Sequence, residues 1–311
     1  MNIIELNHID LNSIGLNSKI IDSVGKSHGG KVKPYIKGHI TDGSSTFTFT
    51  VNSNESVTVP VDTNGSWKWV VDRTLTSLYG CLSSKTNLDI VEIVCPDSVT
   101  NLGRAFYQCS NIKSVSLKGV SGLSSITSVS QMFVDCQLLE TLKIGNGFAP
   151  KLLPSFLFGV WNLSADKINN KWFANATDLS RFDMNGRLTY LDLSLADNCV
   201  DFQYILQNNG SVTTLNLPNI KANVPFICGA SNNALETVTI KSTKSNLNFA
   251  GAKKLSDESV VNIFNAVTAD DITLTFHATV FAMIEQQLEI EDSPIYNAYW
   301  NSEYDFEYTS A

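Results

Sequence analysis

The chain has 311 residues, 43% of them hydrophobic and 17% charged, enough for one large domain or a few small ones. Its apolar runs are short and interrupted, which excludes a transmembrane helix. The net charge of −8 is unevenly placed, because 11 acids and no Lys or Arg follow Lys254, while the first 254 residues hold 22 bases against 19 acids. That balance excludes a general nucleic-acid binder, since phosphate contact needs a basic face.

The N-terminus, MNIIELNHIDLNSIGLNSK, has no basic start, no long apolar core and no small-residue cleavage site. It does not read as a secretory signal. Ile4, Ile9 and Ile14 recur every five residues, as do Leu6, Leu11 and Leu16, and Asn7, Asn12 and Asn17. Two readings are open: a pair of short extended segments, or an anchoring arm that finds its partners on another chain. Residues 22–33 (DSVGKSHGGKVK) read as a hinge, so residues 1–33 form an arm with a Gly-Gly hinge. Lys26, Lys31, Lys33 and Lys37 surround that hinge and read as a solvated linker.

Residues 34–77 change to a period of two. Phe47, Phe49 and Val51 alternate with Thr, and Val57, Val59 and Val61 alternate with Thr and Pro. Asn64-Gly65 offers a hairpin turn, followed by Trp67, Trp69 and Val71. The segment predicts a small antiparallel β unit packed against the remainder of the chain.

From residue 78 a repeat takes over. The template L-x-x-L-x-L, with Ile or Val allowed, fits at Leu88, Ile112, Leu139, Leu188, Val212 and Leu235. A weaker copy starts at Leu163, with Asp166 in its middle position. The starts step by 24, 27, 24, 25, 24 and 23 residues. Six residues before six of the seven starts stands a large apolar residue, at Leu82, Phe106, Phe133, Leu157, Phe182 and Leu206. The last three template positions alternate in and out as a short strand does. One such strand cannot bury its apolar side alone, so coils must stack into a parallel sheet with each Leu over the next. The large residue six back is expected on the opposite wall, pointed inward by a turn of helix. The fold class predicted over residues 78–290 is an α/β solenoid, a leucine-rich repeat of about seven to eight coils.

The stretch SVTNLGRAFYQCSNIKSVSL resembles the unit of the BspA-like leucine-rich repeat family. Ser98, Val99, Thr100, Leu102, Gly103, Ala105, Phe106, Cys109, Ile112, Val115 and Leu117 carry the match. The resemblance is strong in the second and third copies and decays later. Residues 145–187, with Trp161 and Trp172, depart most. Members of that family are mostly bacterial or protozoan surface proteins, and some are phage-encoded. The resemblance implies binding or adhesion, not catalysis.

Toward the C-terminus, Ser256 reads as an N-cap with Asp257 and Glu258 behind it. Val260, Ile263, Phe264 and Val267 then fall on one helical face. Ile272, Leu274 and Phe276 read as a strand, and Val280, Phe281, Ile284 and Leu288 as a second helix. Residues 291–311 form an acidic aromatic tail holding Tyr296, Tyr299, Trp300, Tyr304, Phe306 and Tyr308. Aromatics are the usual interface anchors. Either the tail docks on a partner, with a basic surface favoured by its charge, or it folds back on its own last coil.

No catalytic motif is found, and no cofactor or metal site is expected. The four histidines, 8, 28, 39 and 277, share no ligand spacing. Six cysteines, at 81, 95, 109, 136, 199 and 228, contain no C-x-x-C pair and read as free buried thiols. The acid pairs Asp270-Asp271 and Glu291-Asp292 read as solvated.

The expected function is a non-enzymatic structural and recognition protein, a phage virion component that docks virion proteins or a host surface component. A surface-type repeat with no export signal motivates that reading, because a virion protein reaches the outside by lysis. The alternatives are a BspA-like bacterial surface adhesin and a carbohydrate-active enzyme. The candidate partner-binding residues are Ile4, Leu6, Ile9, Leu11, Ile14 and Leu16 of the arm and the six tail aromatics. No nucleic acid and no membrane insertion is expected, and the oligomeric state is left open.

Overall fold

Within each repeat sheet the strands meet their neighbours in register. The structure, a computed structural model, describes residues 2–6, 35–41, 46–52, 57–61, 66–71, 76–84, 86, 88, 90–163, 168–182, 188–207, 209–228 and 234–311. Strands before residue 72 are described by backbone and register. The chain divides into two compact units, residues 1–148 and 149–311, each treated by itself.

In the first unit, β1 (Asn2–Leu6) pairs antiparallel with β4 (Val57–Val61), setting Ile4 against Val59 and Leu6 against Val57. Strands β2 (Tyr35–Thr41) and β3 (Thr46–Asn52) pair antiparallel, and β5 (Ser66–Val71) joins the free edge of β2. Among the described residues β4 pairs with β1 rather than with β5; the turn expected at Asn64-Gly65 lies outside the described residues. The other edge of β5 pairs in parallel with β6 (Ile90–Cys95), the first repeat strand. The antiparallel strands therefore continue the repeat sheet edge to edge. That covers an edge which would otherwise present unpaired backbone groups.

Strands β6, β7 (Ser114–Gly119) and β8 (Thr141–Ile144) are parallel and in register. Val115 lies between Val91 and Leu142, and Leu117 between Ile93 and Ile144, so the template positions stack as the spacing predicts. On the opposite wall Phe106 and Phe133 stack nearly parallel, with ring centroids 5.4 Å apart. Both are fully buried.

The wall that carries them is not helical. It is a run of tight turns. The N–H groups of Ala105, Tyr107 and Cys109 close turns onto the carbonyls of Leu102, Arg104 and Phe106. The intervening N–H groups of Leu102, Arg104, Phe106 and Gln108 donate to Ser128, Ser130, Met132 and Val134 of the next coil, at 2.7–3.0 Å. This alternation gives every donor of the segment a partner. It requires a left-handed residue at the third position of alternate turns. Those residues are Gly80, Arg104 and Gln131, and again Ser84, Gln108 and Asp135, with φ between 54° and 63°. The expected turn of helix loses because the i−4 bonds of a helix would direct these donors along the coil and leave the next coil unpaired.

The second unit keeps this wall at its start, where Ser155 donates to Ser180 and Arg181 to Gln203, both at 3.0 Å. A 3₁₀ turn, Asn170–Phe173, buries Trp172 and Phe173, while Trp161 stays exposed. Of the weaker template copy, Leu163 is fully buried and Asp166 lies outside the described residues. Strands β9 (Tyr190–Asp192), β11 (Thr214–Ile220) and β13 (Thr237–Thr243) form the repeat sheet, with Leu191, Leu215 and Val238 in line. Here the opposite wall is a second parallel sheet. It comprises β10 (Phe202–Ile205), β12 (Phe226–Cys228), β14 (Leu247–Phe249), β15 (Ile272–Phe276) and β16 (Phe306–Ser310). Phe202, Phe226, Phe249 and Phe276 run along it with neighbouring centroids 5.1–6.5 Å apart.

The closing elements match their sequence signals. Helix α1 (Asp257–Asn265) is capped by Ser256, whose hydroxyl accepts from the Ser259 N–H, and it buries Val260, Ile263 and Phe264. Helix α2 (Ala278–Leu288) buries Val280 and Ile284, and the His277 ring Nδ1 caps it by accepting from the Thr279 N–H at 3.1 Å. Helix α3 (Pro294–Trp300) starts at a Ser293 cap.

Two substitutions test this architecture. Phe133→Ala opens a cavity inside the stack and is expected to cost about 3–5 kcal/mol. A shift in denaturant midpoint worth less than about 1 kcal/mol would place Phe133 outside the core. Gln108→Gly removes a left-handed penalty of about 1–2 kcal/mol, offset in part by greater freedom in the unfolded chain. It is expected to raise stability by up to about 1 kcal/mol, and a loss of stability would contradict the turn assignment.

Candidate docking surfaces

Chemistry is sparse among the described residues. No group of three or more His, Cys, Asp or Glu side chains is placed to hold a metal ion. No helix is long and apolar enough to cross a membrane. All six cysteines are free and buried, as their scattered spacing predicts. Cys109 and Cys136 occupy equivalent coil positions, and their thiols donate to the carbonyls of Leu82 and Phe106, each at 3.0 Å. Burial pushes the Cys95 and Cys199 thiols up to about 12, and those of Cys81 and Cys136 higher still.

The outer face of the repeat sheet carries short polar side chains in both units. In the first unit Ser114, Ser116, Thr141 and Lys143 lie there, beside a Glu92–Lys118 ion pair at 2.6 Å. In the second unit the row is joined by hydrogen bonds. The Asn216 amide donates to the Tyr190 hydroxyl at 2.9 Å, the Thr239 hydroxyl donates to Asn216 Oδ1 at 2.6 Å, and the Asn170 amide donates to Asp192 Oδ2 at 2.8 Å. Partial burial alone would raise the Asp192 carboxyl, but the donors of Ser194, Asn170 and Tyr190 together outweigh it and hold the group below its ordinary range.

A cleft of about 660 Å³ lies on the outer face of the second sheet, lined in part by Ile227, Lys244, Asn248, Asp270, Asp271 and Thr275. Asp270 and Asp271 border it and are exposed, in keeping with their reading as solvated acids. Asp270 Oδ1 already accepts the Asp305 N–H at 3.0 Å.

The tail folds back on the chain. Strand β16 pairs in parallel with β15, setting Phe306 against Ile272 and Tyr308 against Leu274. Tyr299, Phe306 and Tyr308 surround Phe264 at centroid distances of 5.8, 5.1 and 6.0 Å. The Tyr308 hydroxyl donates to Glu285 Oε1 at 2.5 Å, and burial with that carboxylate raises its pKa. Of the six tail aromatics, these three therefore seal the last coil. Tyr296 is half-buried, 6.2 Å from Trp300 by ring centroid, whereas Trp300 is 63% and Tyr304 36% exposed. In the arm, Ile4 and Leu6 lie in β1, while Ile9, Leu11, Ile14 and Leu16 lie outside the described residues.

Two features escaped the sequence reading. The second sheet was legible in Phe226-Ile227-Cys228 and Leu247-Asn248-Phe249, each apolar–variable–apolar, but too short to stand out. Strand β16 was legible in Phe306, Tyr308 and Ser310 facing one way and Glu307 and Thr309 the other. That is the alternation already used for Ile272, Leu274 and Phe276.

The fold is that of a leucine-rich-repeat solenoid, a class whose members generally bind other proteins. Residues 72–158 match the family described as the BspA type leucine rich repeat region, in six copies. Comparison with curated proteins and with solved structures gave no match. The family match ends at residue 158, while the stacked coils of the second unit continue to residue 310.

Thiol labelling checks the interior. None of the six cysteines is expected to react with an aromatic disulfide reagent at pH 8 in the native protein, and all six after unfolding. Rapid native labelling at Cys109 or Cys136, or a disulfide found by mass spectrometry, would contradict their placement.

Proposed function

We propose that the protein is a non-enzymatic structural and recognition component of a phage virion, docking virion proteins or a host surface component. The observation that carries the docking reading is the C-terminal cap. Its Trp300 and Tyr304 stand outward on an acidic, well-packed support, as interface anchors do. The remaining arm residues, Ile9, Leu11, Ile14 and Leu16, are the second proposed contact. The repeat class supports binding over catalysis, since its folded coils hold side chains in place for contact rather than assembling a reactive group. Six free thiols fit folding in a reducing compartment, as occurs for a particle protein made inside its host.

The family match favours one further reading, a BspA-like adhesin on a bacterial surface. A carbohydrate-active reading rests on the Asp270 and Asp271 cleft. Quantitative mass spectrometry of purified particles and of host envelope fractions separates the virion reading from the adhesin reading. The proposal expects the chain at fixed copy number in the particle, and Trp300→Ala lowering its incorporation at least tenfold with an unchanged melting temperature. Absence from particles with enrichment in the envelope would establish the adhesin reading instead.

A further inference from the structure

We infer that the C-terminal cap binds the basic segment around residues 18–34 of a second copy of this chain, giving head-to-tail self-association. The inference rests on the reading of the cap as a docking surface and names its occupant.

Three observations converge on the cap. First, β16 is the last strand of the five-stranded sheet, and among the described residues nothing pairs with its outer edge. Parallel pairing to β15 satisfies only one side of its backbone. A free edge is a template for a further extended segment, and soluble proteins usually guard one with Lys, Pro or a bulge. Here the edge residues are Phe306, Glu307, Tyr308, Thr309 and Ser310, with no Lys or Pro and a single charge, the acid Glu307. Second, apolar surface lies close to that strand in sequence and beside it in the cap, with Trp300 63% and Ile290 54% exposed. Third, no base follows Lys254, so the exposed acids Glu303, Asp305 and Glu307 have no nearby cation in their own segment.

Charge then selects the occupant. Two caps meeting face to face would bring acids against acids, which disfavours a two-fold contact of cap on cap. The complementary charge is in the chain itself. Residues 18–34, SKIIDSVGKSHGGKVKP, hold four lysines and one acid, and they include Ile20, Ile21, Val24 and Val32 as apolar partners for the aromatics. This segment lies outside the described residues, at the other end of the chain from β16. A contact between unlike surfaces of identical chains is heterologous, so it propagates or closes into a ring. Lysines facing Glu303 and Glu307 give an attraction that salt screens.

The test is sedimentation velocity across protein concentration at about 50 and about 500 mM salt. The wild type is expected to associate at low salt, at least tenfold more weakly at high salt, and to be competed by a synthetic peptide of residues 18–34. A cap variant, Glu303→Lys with Glu307→Lys, and a segment variant, Lys26→Glu with Lys31→Glu and Lys33→Glu, should each remain monomeric alone. Mixed one to one, they should associate again, because each then offers the other an opposite charge. Melting curves confirm that both variants fold, and Trp300→Ala, which leaves charge untouched, should also weaken association at least tenfold. A wild type that stays monomeric at low salt, or association indifferent to both charge-reversed variants, would overturn the inference. If that happens while Trp300→Ala still blocks incorporation into particles, the cap remains a docking surface and its occupant is a different protein.

Discussion

Everything in this fold depends on backbone groups of one coil being satisfied by the next. A coil of 23–27 residues is too short to fold a core of its own. Its strand presents one row of donors and acceptors to each side, and its other wall does the same through alternate N–H groups of the turns. Leu102, Arg104, Phe106 and Gln108 have their partners only because Ser128, Ser130, Met132 and Val134 lie one coil away. An unpaired buried amide costs about 1–3 kcal/mol, so a shift of register would forfeit several such bonds and unstack the Leu rows together. Backbone pairing and side-chain stacking thus enforce the same alignment.

The turn wall explains residues that look arbitrary within one repeat. A left-handed conformation costs a residue with a side chain about 1–2 kcal/mol, yet Arg104, Gln131, Ser155 and Arg181 all adopt it. The bonds to the next coil offset that cost. At Arg104 the side chain gains as well, since its guanidinium lies 5.2 Å from the Tyr107 ring centroid and its Nε donates to Gln131 Oε1 at 2.6 Å. The cysteines solve a related problem inside the coil. A thiol is small enough for the turn between Phe106 and Ile112, and its weak donor reaches a carbonyl of the preceding coil, Leu82 for Cys109 and Phe106 for Cys136, the latter shared with the Cys109 N–H.

What could be read from the sequence obeys the same physics. The stacked positions were legible because they repeat: Val91, Val115 and Leu142 fall in register as the spacing requires. Helix α1 was legible because Ser256, Asp257 and Glu258 are local signals needing no tertiary contact. The conformation of the second wall was not legible. Phe106 and Phe133 mark where it points inward, but turns and a helical turn place an apolar residue inward equally well, and only the neighbouring coil's demand for donors separates them. In the second unit the same wall becomes a sheet, through runs of three residues such as Phe226–Cys228. The pairing of β5 with β6, and of β1 with β4, was hidden for a similar reason. A period of two gives faces but not partners. In the tail the aromatics were found, yet their division into sealing and outward residues depends on where Phe264 stands.

Binding surface on such a ladder is decided by what has already been satisfied. The outer face of the second unit's repeat sheet is polar, but Tyr190, Asn216, Thr239, Asp192 and Asn170 are joined to one another. A ligand there exchanges one hydrogen bond for another, worth about 0.5–1.5 kcal/mol each at best. Trp300 has made no such exchange. Covering the exposed part of a ring that buries 150–250 Å² gives about 2–4 kcal/mol at about 25 cal/mol per Å². The aromatic cost of leaving it outward is tolerated only because Tyr299, Phe306 and Tyr308 hold the support beneath it around Phe264. Within each unit, stacking pairs a coil with its neighbours, and among the described residues the second sheet leaves the outer edge of β16 unpaired. The free strand edge, the uncovered ring and the unbalanced charge therefore gather in the C-terminal cap, where recognition meets the least competition from the fold itself.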